Sequence, residues 1–199
     1  MSTIAVFGGS FSPVHRGHME VAANILRLSL ADKVIMMPCR RNPLKDGTSL
    51  MPDQDRIRLL EAAASYYRNV KDSYGILISE MELNMPAPSY TYKTLELLSV
   101  ENPKDRFRLV VGSDSYLDFD RWKNGDWIEN NFSPIVYPRP GYRIDMLRPN
   151  WTVLEDVEQI DLSSSAIREM IRHGDDLKTL RHLMPWIENN ELLWKIKKN

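Results

Sequence analysis

Short apolar segments alternate with amphipathic segments along most of the chain, and this alternation constrains the fold more than any other feature. The apolar segments are rich in Val, Ile and Met, as is typical of buried strands. Strands are predicted at residues 4–7, 33–38, 75–83, 106–111, 133–137 and 151–154. Because parallel strands are joined through helices, the pattern predicts an α/β fold, a Rossmann-like doubly wound parallel sheet with helices on both faces.

Apolar residues at helical spacing predict the helices between these strands. The first helix should begin near His15 and run to about Leu30. Another should begin with Asp53 as its N-cap. The helical pattern of residues 164–199, with a break at Pro185, predicts a small C-terminal helical cap on the same domain.

Composition limits the class of protein. The 199 residues suffice for one well-filled domain and are few for two, so residues 1–199 are expected to form a single domain. A formal net charge of −1 gives no electrostatic reason to expect a nucleic acid or a membrane as partner. No membrane-length apolar run or signal-peptide pattern occurs, and the single Cys39 suits a reducing compartment. We therefore expect a cytoplasmic protein, and the sequence leaves open whether it forms a homo-oligomer.

The most informative segment follows the first predicted strand. Gly8 and Gly9 let the backbone turn tightly and approach a ligand without an intervening Cβ. His15 and His18 are three residues apart, so a helix beginning near His15 would present both imidazoles on one face. Free N–H groups at the positive end of that helix would add to them, and the combination predicts a phosphate site. Each feature alone is common without a ligand, but the combination is hard to explain by packing.

A second segment near the C-terminus predicts another anion site. A serine at a helix start is ordinarily only an N-cap. Ser163, Ser164 and Ser165, with Arg168 one turn later, would also offer hydroxyls, N–H groups and a guanidinium to one anion. Arginine binds phosphate oxygens through two parallel hydrogen bonds, so this segment suits a pyrophosphate.

A basic loop follows the second predicted strand. It spans residues 39–52 and carries Lys45. Ligands of open α/β sheets bind beyond the carboxyl ends of the strands, so its placement makes Lys45 a candidate for binding a substrate. Most basic loops are simply solvated, and the charge alone would not single it out.

These segments, in this order, resemble the bacterial nicotinate mononucleotide adenylyltransferases of the nucleotidyltransferase superfamily. The N-terminal Gly-Gly-Ser-Phe-Ser-Pro-Val-His-Arg-Gly-His is similar to the superfamily signature, and Ser-Ser-Ser-Ala-Ile-Arg is similar to a second one. The other landmarks are Asn-Pro-Leu-Lys, Ala-Pro-Ser-Tyr-Thr, Val-Gly-Ser-Asp, Trp122, Pro-Arg-Pro-Gly-Tyr and Leu-Arg-His-Leu-Met-Pro. The resemblance covers nearly the whole chain. Two positions depart from it: Ser12 replaces an acidic or amide residue, and Leu44 replaces a frequent histidine.

The resemblance implies transfer of the adenylyl group of ATP to nicotinate mononucleotide, giving deamido-NAD and pyrophosphate, in NAD biosynthesis. It implies catalytic roles for His15, His18, Lys45 and Arg168. ATP is expected to contact Gly8, Gly9, Ser10, Phe11, His15, His18, Ser163, Ser164, Ser165 and Arg168. Nicotinate mononucleotide is expected to contact Lys45, Tyr90, Thr91, Asp114 and Trp122. Mg²⁺ should bind through the substrate phosphates, and no protein metal site is expected.

Two of the residues expected to contact nicotinate mononucleotide could instead have a purely structural role. Trp122 could stack on the pyridine ring or could be a core residue, as is expected of the other four tryptophans, Trp127, Trp151, Trp186 and Trp194. Asp114 resembles a ribose-binding acid of the family, or it could cap the helix that follows Gly112.

Three other functions remain open. Other adenylyltransferases and cytidylyltransferases, which use another phosphorylated acceptor, share the N-terminal motif but lack the Pro-Arg-Pro-Gly-Tyr and Ser-Tyr-Thr landmarks. A nucleotide-binding homologue without turnover would fit the departures at Ser12 and Leu44. Class I aminoacyl-tRNA synthetases have a similar His-x-Gly-His, but this chain has no room for an anticodon domain.

Overall fold

The computed structural model describes residues 1–41, 50–174 and 177–187. The strands in these ranges are β1 (Thr3–Gly9), β2 (Lys33–Pro38), β3 (Ile76–Ile78), β4 (Arg106–Gly112), β5 (Ile135–Tyr137) and β6 (Thr152–Val153). The helices are α1 (Arg16–Arg27), α2 (Asp53–Lys71), α3 (Met81–Asn84), α4 (Thr91–Glu101), α5 (Ser113–Leu117), α6 (Gly125–Phe132), α7 (Ser164–His173) and α8 (Leu177–Arg181). A 3₁₀ turn occupies Phe119–Arg121. None of the described helices combines the length and the apolarity needed to cross a bilayer.

The strands form one parallel sheet in the order β3-β2-β1-β4-β5-β6. This order confirms the predicted doubly wound fold. From β1 to β3, each new strand is added towards one edge of the sheet, and from β4 to β6, each is added towards the other edge. The direction of strand order therefore reverses between β1 and β4. In such sheets the crevice beyond the carboxyl ends of the strands at the reversal binds ligands.

Two hydrophobic cores lie on the two faces of this sheet, because alternate residues of β1 point in opposite directions. Ala5 and Phe7 pack into one core with buried residues of α1, α2 and α7. Ile4 and Val6 pack into the other with buried residues of α4 and α6. A strand covered on both faces needs a continuous apolar sequence, and the apolar run at residues 4–7 meets this requirement.

The C-terminal segment packs on α1 and α2, as the predicted helical cap requires. The Trp186 ring is buried, with its centroid 6.3 Å from that of Tyr66 and 6.2 Å from that of Tyr67. The Arg16 N–H at the start of α1 donates to the Leu183 carbonyl at 2.8 Å. The C-terminal residues therefore stabilise the helix at whose start both histidines lie.

Two predicted helix boundaries are wrong. The first helix ends at Arg27 rather than near Leu30, because Ser29 has a left-handed φ of 53° and the chain turns back there. Asp53 does not cap the second helix. Pro52 occupies the N-cap position, and Asp53 is the first helical residue, with its carboxylate paired to a guanidinium three residues later.

The third predicted strand, 75–83, is correct only in its first half. The strand ends at Ile78, where the Ser79 N–H makes a last bond to the Met36 carbonyl at 3.1 Å. The Ser79 hydroxyl then accepts the Met81 N–H at 3.3 Å, and the chain enters α3. This bond from a serine hydroxyl to the backbone two residues later marks the end of the strand. The partial apolar alternation of residues 79–83 therefore does not correspond to a strand.

The tryptophans predicted to lie in the core differ in burial. Trp151 and Trp186 are buried as expected, whereas Trp194 lies outside the described residues. The prediction for Trp127 is wrong, because 38% of it is exposed. On α6 it is Ile128 that is fully buried in the core, which leaves Trp127 on the outer side of the helix.

Trp186→Ala should lower the free energy of unfolding by about 3 kcal/mol, since it removes a buried aromatic ring that joins the C-terminal segment to α2. Trp127→Ala is the matched control and should change it by less than about 1 kcal/mol, because that ring is partly solvated. Urea unfolding measures both. Equal losses in the two variants would contradict the packing described for Trp186.

Candidate active site

A cavity of about 680 Å³ lies at the carboxyl ends of β1, β4 and β5. It is at the reversal of strand order, where the fold predicts a ligand site. Among its lining residues are these members of the sequence-predicted set: Gly8, Gly9, Ser10, Phe11, His15, His18, Tyr90, Thr91, Asp114, Trp122, Ser163, Ser164, Ser165 and Arg168. Lys45 and Leu44 lie outside the described residues. The structure thus brings together every predicted site residue that it describes.

The two histidines lie side by side at the start of α1. His15 is the N-cap residue, and its ring centroid is 3.8 Å from that of His18. The His15 N–H donates to Nδ1 of His18 at 3.3 Å. The edge-on ring of Phe11, 5.0 Å from His18, packs on the other side. Both imidazoles therefore have restricted orientations before a ligand binds.

His15 is the more deeply buried of the pair, with 4% of it exposed. Burial, with a smaller contribution from the Arg139 charge, lowers the pKa of His15 from 6.5 to about 3. Its Nδ1 is buried and has no hydrogen-bond partner among the described residues. A Cβ at position 17 would lie 3.1 Å from this nitrogen, so Gly17 gives the ring its room. At neutral pH His15 is therefore an uncharged imidazole.

The backbone amides of the first turn of α1 are not all available to a ligand. The Arg16 N–H is already bonded to Leu183, and the His18 N–H bonds to the His15 carbonyl at 3.0 Å. The expectation that this turn offers free N–H groups to phosphate is wrong for these two positions. On this helix the imidazoles are the better candidates for contacting phosphate.

The serines at the start of α7 hold that helix in place. The Ser163 hydroxyl accepts the Ala166 N–H at 3.1 Å and caps the helix. The Ser164 hydroxyl donates to the Pro13 carbonyl at 2.9 Å. This second bond attaches the helix to the turn between β1 and α1, so the two predicted anion-binding segments are in direct contact.

Arg168 completes this attachment. Its Nη1 donates to the Ser12 carbonyl at 2.5 Å and its Nη2 to the Ser165 hydroxyl at 3.1 Å. A guanidinium has five N–H donors, so these two bonds leave donors for an anion. Ser12 is fully buried, and its hydroxyl accepts the Met51 N–H at 2.9 Å. Ser12, which departs from the family signature, thus uses its hydroxyl to bind the backbone of Met51 and its carbonyl to bind Arg168.

The start of α4 and Trp122 form another part of the cavity wall. Tyr90 is the N-cap of α4, and its carbonyl accepts the Lys93 N–H at 3.0 Å and the Thr94 N–H at 3.4 Å, so the first-turn amides left for a ligand are those of Thr91 and Tyr92. The Trp122 ring packs on Phe119, with centroids 5.3 Å apart, and also lines the cavity. Nζ of Lys123 lies 5.0 Å from the Tyr90 ring centroid. Trp122 therefore belongs both to the core and to the cavity wall.

Asp114 is bound to an arginine that we did not predict as a site residue. Oδ2 of Asp114 lies 2.6 Å from Nη1 of Arg139, which also lines the cavity. Asp114 lies within the first turn of α5, where Gly112 holds the N-cap position, so the alternative that Asp114 caps this helix is wrong. The signal that could have identified Arg139 is its position just after the end of β5.

Glu82 is a second lining residue that was missed. It is buried, and its Oε1 accepts the Thr94 hydroxyl at 2.8 Å. Burial raises the pKa of Glu82, although hydrogen bonds from Thr94 and Ser89 oppose the shift. The sequence placed Glu82 in a strand, so no pattern connected it with the start of α4.

The carboxylates that line the cavity already have protein partners. Those pairs are Glu20 with Lys71, Glu82 with Thr94, Asp114 with Arg139, and Glu158 with Arg16. In the described ranges no group of three or more His, Cys, Asp or Glu side chains is placed to hold a metal. Such a donor set suits an ion held mainly by ligand oxygens and water.

Comparison with known proteins gives consistent results. The cytidylyltransferase-like family profile matches residues 6–170. A Bacteroides fragilis protein named probable nicotinate-nucleotide adenylyltransferase is 36% identical over 179 residues, covering 89% of this chain and 86% of that protein. A Geobacillus thermodenitrificans protein of the same name is 31% identical over 186 residues, covering 93% of this chain and 81% of that protein.

A solved structure shares the fold. It is the Plasmodium falciparum nicotinic acid mononucleotide adenylyltransferase complexed with NaAD, which aligns with a TM-score of 0.75. The alignment covers 100% of this chain and 96% of that chain, at 20% identity. This likeness concerns the fold alone.

His15→Asn should change the pH dependence of stability. The unfolded chain takes up a proton on the imidazole below pH 6.5, whereas the folded chain does not until about pH 3. Wild-type stability therefore falls as the pH falls below 6.5. When the pH is lowered from 6 to 5, the free energy of unfolding of the wild type should fall by about 1 kcal/mol more than that of the variant. Urea unfolding at both values measures the difference, and parallel losses would contradict an uncharged, buried His15.

Proposed function

Since this chain belongs to the cytidylyltransferase-like family and, within it, to the nicotinate-nucleotide adenylyltransferases, we propose that its cavity binds ATP and nicotinate mononucleotide together. The enzyme transfers the adenylyl group of ATP to the mononucleotide and forms deamido-NAD and pyrophosphate in NAD biosynthesis. The observation that supports the site is that one cavity joins the paired imidazoles, the α7 start and the α4 start.

The chemistry requires positioning and charge stabilisation. An oxygen of the mononucleotide phosphate attacks the α-phosphorus of ATP in line, and the bond from that phosphorus to the pyrophosphate oxygen breaks. No protein nucleophile is needed, so the protein contributes orientation and hydrogen-bond donors. We assign His15 and His18 to the oxygens of the α-phosphate. An uncharged His15 there acts as a hydrogen-bond donor rather than as a cation.

The ATP phosphates are assigned to the side of the cavity where α7 meets the turn after β1. Arg168 and the serine-rich start of α7 supply a guanidinium and a positive helix end for the pyrophosphate. Gly8 is exposed, and a Cβ there would meet no protein atom within 4 Å. Its backbone is therefore open to close approach by a nucleotide. We keep Lys45 as a further phosphate ligand, on the resemblance alone.

The nicotinate mononucleotide is assigned to the wall formed by α4 and Trp122. The Thr91 and Tyr92 amides in the first turn of α4 suit the pyridine carboxylate, because they combine donors with the positive end of an eleven-residue helix. Trp122 is assigned to stacking on the pyridine ring. Asp114, held by Arg139, is assigned to a ribose hydroxyl.

Nucleotidyltransferases of this family generally use a divalent metal ion. We propose Mg²⁺, held mainly through substrate phosphate oxygens and water, since the lining carboxylates already have protein partners. When bound it would neutralise charge on the phosphate oxygens. A cytoplasmic location and a single domain remain predictions, and we propose no nucleic-acid or membrane partner.

The preference for the acid over the amide tests the assignment of α4. Nicotinate mononucleotide should have a higher kcat/KM than nicotinamide mononucleotide, by about 100-fold, because an amide cannot match donors that bind a carboxylate. Pyrophosphate release with ATP and Mg²⁺ measures both. Trp122→Ala should lower the two efficiencies in similar proportion, with Trp127→Ala as control. Comparable wild-type efficiencies would overturn the carboxylate assignment, and turnover of neither mononucleotide would overturn the proposed function.

Arg168→Ala should raise the KM for ATP at least about tenfold and leave that for nicotinate mononucleotide nearly unchanged. The reason is that a charge-assisted pair with phosphate is worth about 1.5–3 kcal/mol. Arg172→Ala, an exposed arginine on the same helix, is the matched control. Titration of each substrate separates the effects. Equal losses for both substrates would give Arg168 the purely structural role of tethering α7 to Ser12.

A further inference from the structure

Arg56, in the first turn of α2, is a fully buried arginine outside the cavity wall. Its exposure is 0%, although a guanidinium carries a charge at any pH the protein meets. Burying such a charge is unfavourable unless hydrogen bonds compensate for lost water. Its carboxylate partner is Asp53, at 2.5 Å, and that side chain is 50% exposed. The remaining partners of the guanidinium therefore matter most.

Those partners are two backbone carbonyls from different loops. Nη1 of Arg56 donates to the Ser10 carbonyl and to the Cys39 carbonyl, each at 2.9 Å. Ser10 directly follows β1, and Cys39 directly follows β2, so one nitrogen joins the exits of two adjacent strands. Both loop residues line the cavity. An apolar side chain of similar size would leave the buried carbonyl of Cys39 without this donor.

The two loops lead to different parts of the cavity lining. Ser10 belongs to the turn that carries the histidines and meets Arg168, which is the proposed ATP side. The loop after Cys39 is bonded to Ser89, two residues before α4: the Arg40 N–H donates to the Ser89 hydroxyl at 3.1 Å, and the Ser89 N–H donates to the Arg41 carbonyl at 3.0 Å. A short series of hydrogen bonds thus connects the proposed ATP side to the proposed nicotinate side through Arg56.

We propose that Arg56 is a positioning residue for adenylyl transfer, which fixes the distance between the two substrate subsites. The inference rests on the function proposed above. In this role Arg56 touches neither substrate and acts through the backbone of Ser10 and Cys39. Because in-line attack is sensitive to misplacement of about 1 Å, loosening this connection lowers turnover more than it weakens the binding of either substrate alone.

Arg56→Lys tests this role, because lysine keeps the charge and loses the planar fork. We expect kcat to fall at least about tenfold, while the KM for ATP and for nicotinate mononucleotide each change less than about threefold. Arg56→Gln, which keeps a neutral donor on a shorter side chain, should behave likewise and provides a second variant if the buried lysine impairs folding. Rates are normalised to the folded fraction at the assay temperature.

Two controls separate positioning from general destabilisation. Arg58→Lys changes an exposed arginine two residues later on the same helix and should leave kcat unchanged. Leu60→Ala removes a buried side chain of α2 that belongs to the core on its face of the sheet. It should lower the thermal midpoint while kcat per folded enzyme is retained. A kcat within about twofold of wild type in both Arg56 variants, or an equal loss in Leu60→Ala, would overturn the proposal.

Hydrogen exchange gives a readout that does not depend on the acceptor substrate. In Arg56→Lys the amides of residues 9–12 and 39–41 should exchange faster than in wild type and in Arg58→Lys. If wild-type enzyme adenylylates some other phosphorylated acceptor, the proposed function fails, and this measurement still decides the positioning role. Unchanged exchange at both loops would overturn it.

Discussion

The parallel pairing of β1 with both β2 and β4 is the constraint on which the rest of the structure depends. Parallel strands end at the same edge, so the segments after β1, β2, β4 and β5 all emerge around one crevice. The same pairing buries β1 on both faces, and the chain must cover it with helices on each side. The core and the cavity are therefore two results of one topology.

Much of this fold could be predicted, because a strand buried on both faces has a continuous apolar sequence and a covering helix has a regular apolar spacing. The errors occurred where single local contacts decided the outcome. The hydroxyl of Ser79 ended a strand in mid-pattern, and a left-handed Ser29 ended a helix early. Such contacts leave the apolar periodicity unchanged, so a pattern cannot reveal them.

The residues of the candidate site likewise divide into those that the sequence could predict and those that it could not. Gly8 at the end of β1 and His15 at the start of α1 could be predicted to line the cavity, because their position and chemistry point to the same use. Arg56 and Glu82 could not, because a buried charge in an amphipathic helix or an apparent strand has the same sequence signature as a solvated one. Their buried positions depend on backbone carbonyls and hydroxyls brought together by the fold, and sequence spacing contains no record of those partners.

The attachment of α7 to the turn after β1 has a consequence for protein synthesis. The Arg168 side chain bonds to a carbonyl 156 positions earlier in the chain, whereas the last of the described strands ends at Val153. On the ribosome, all six described strands are thus made before the helix that closes the cavity. Contacts this distant in sequence form late and slowly. A nascent chain therefore contains the described strands of its sheet before it contains the helix that completes the cavity.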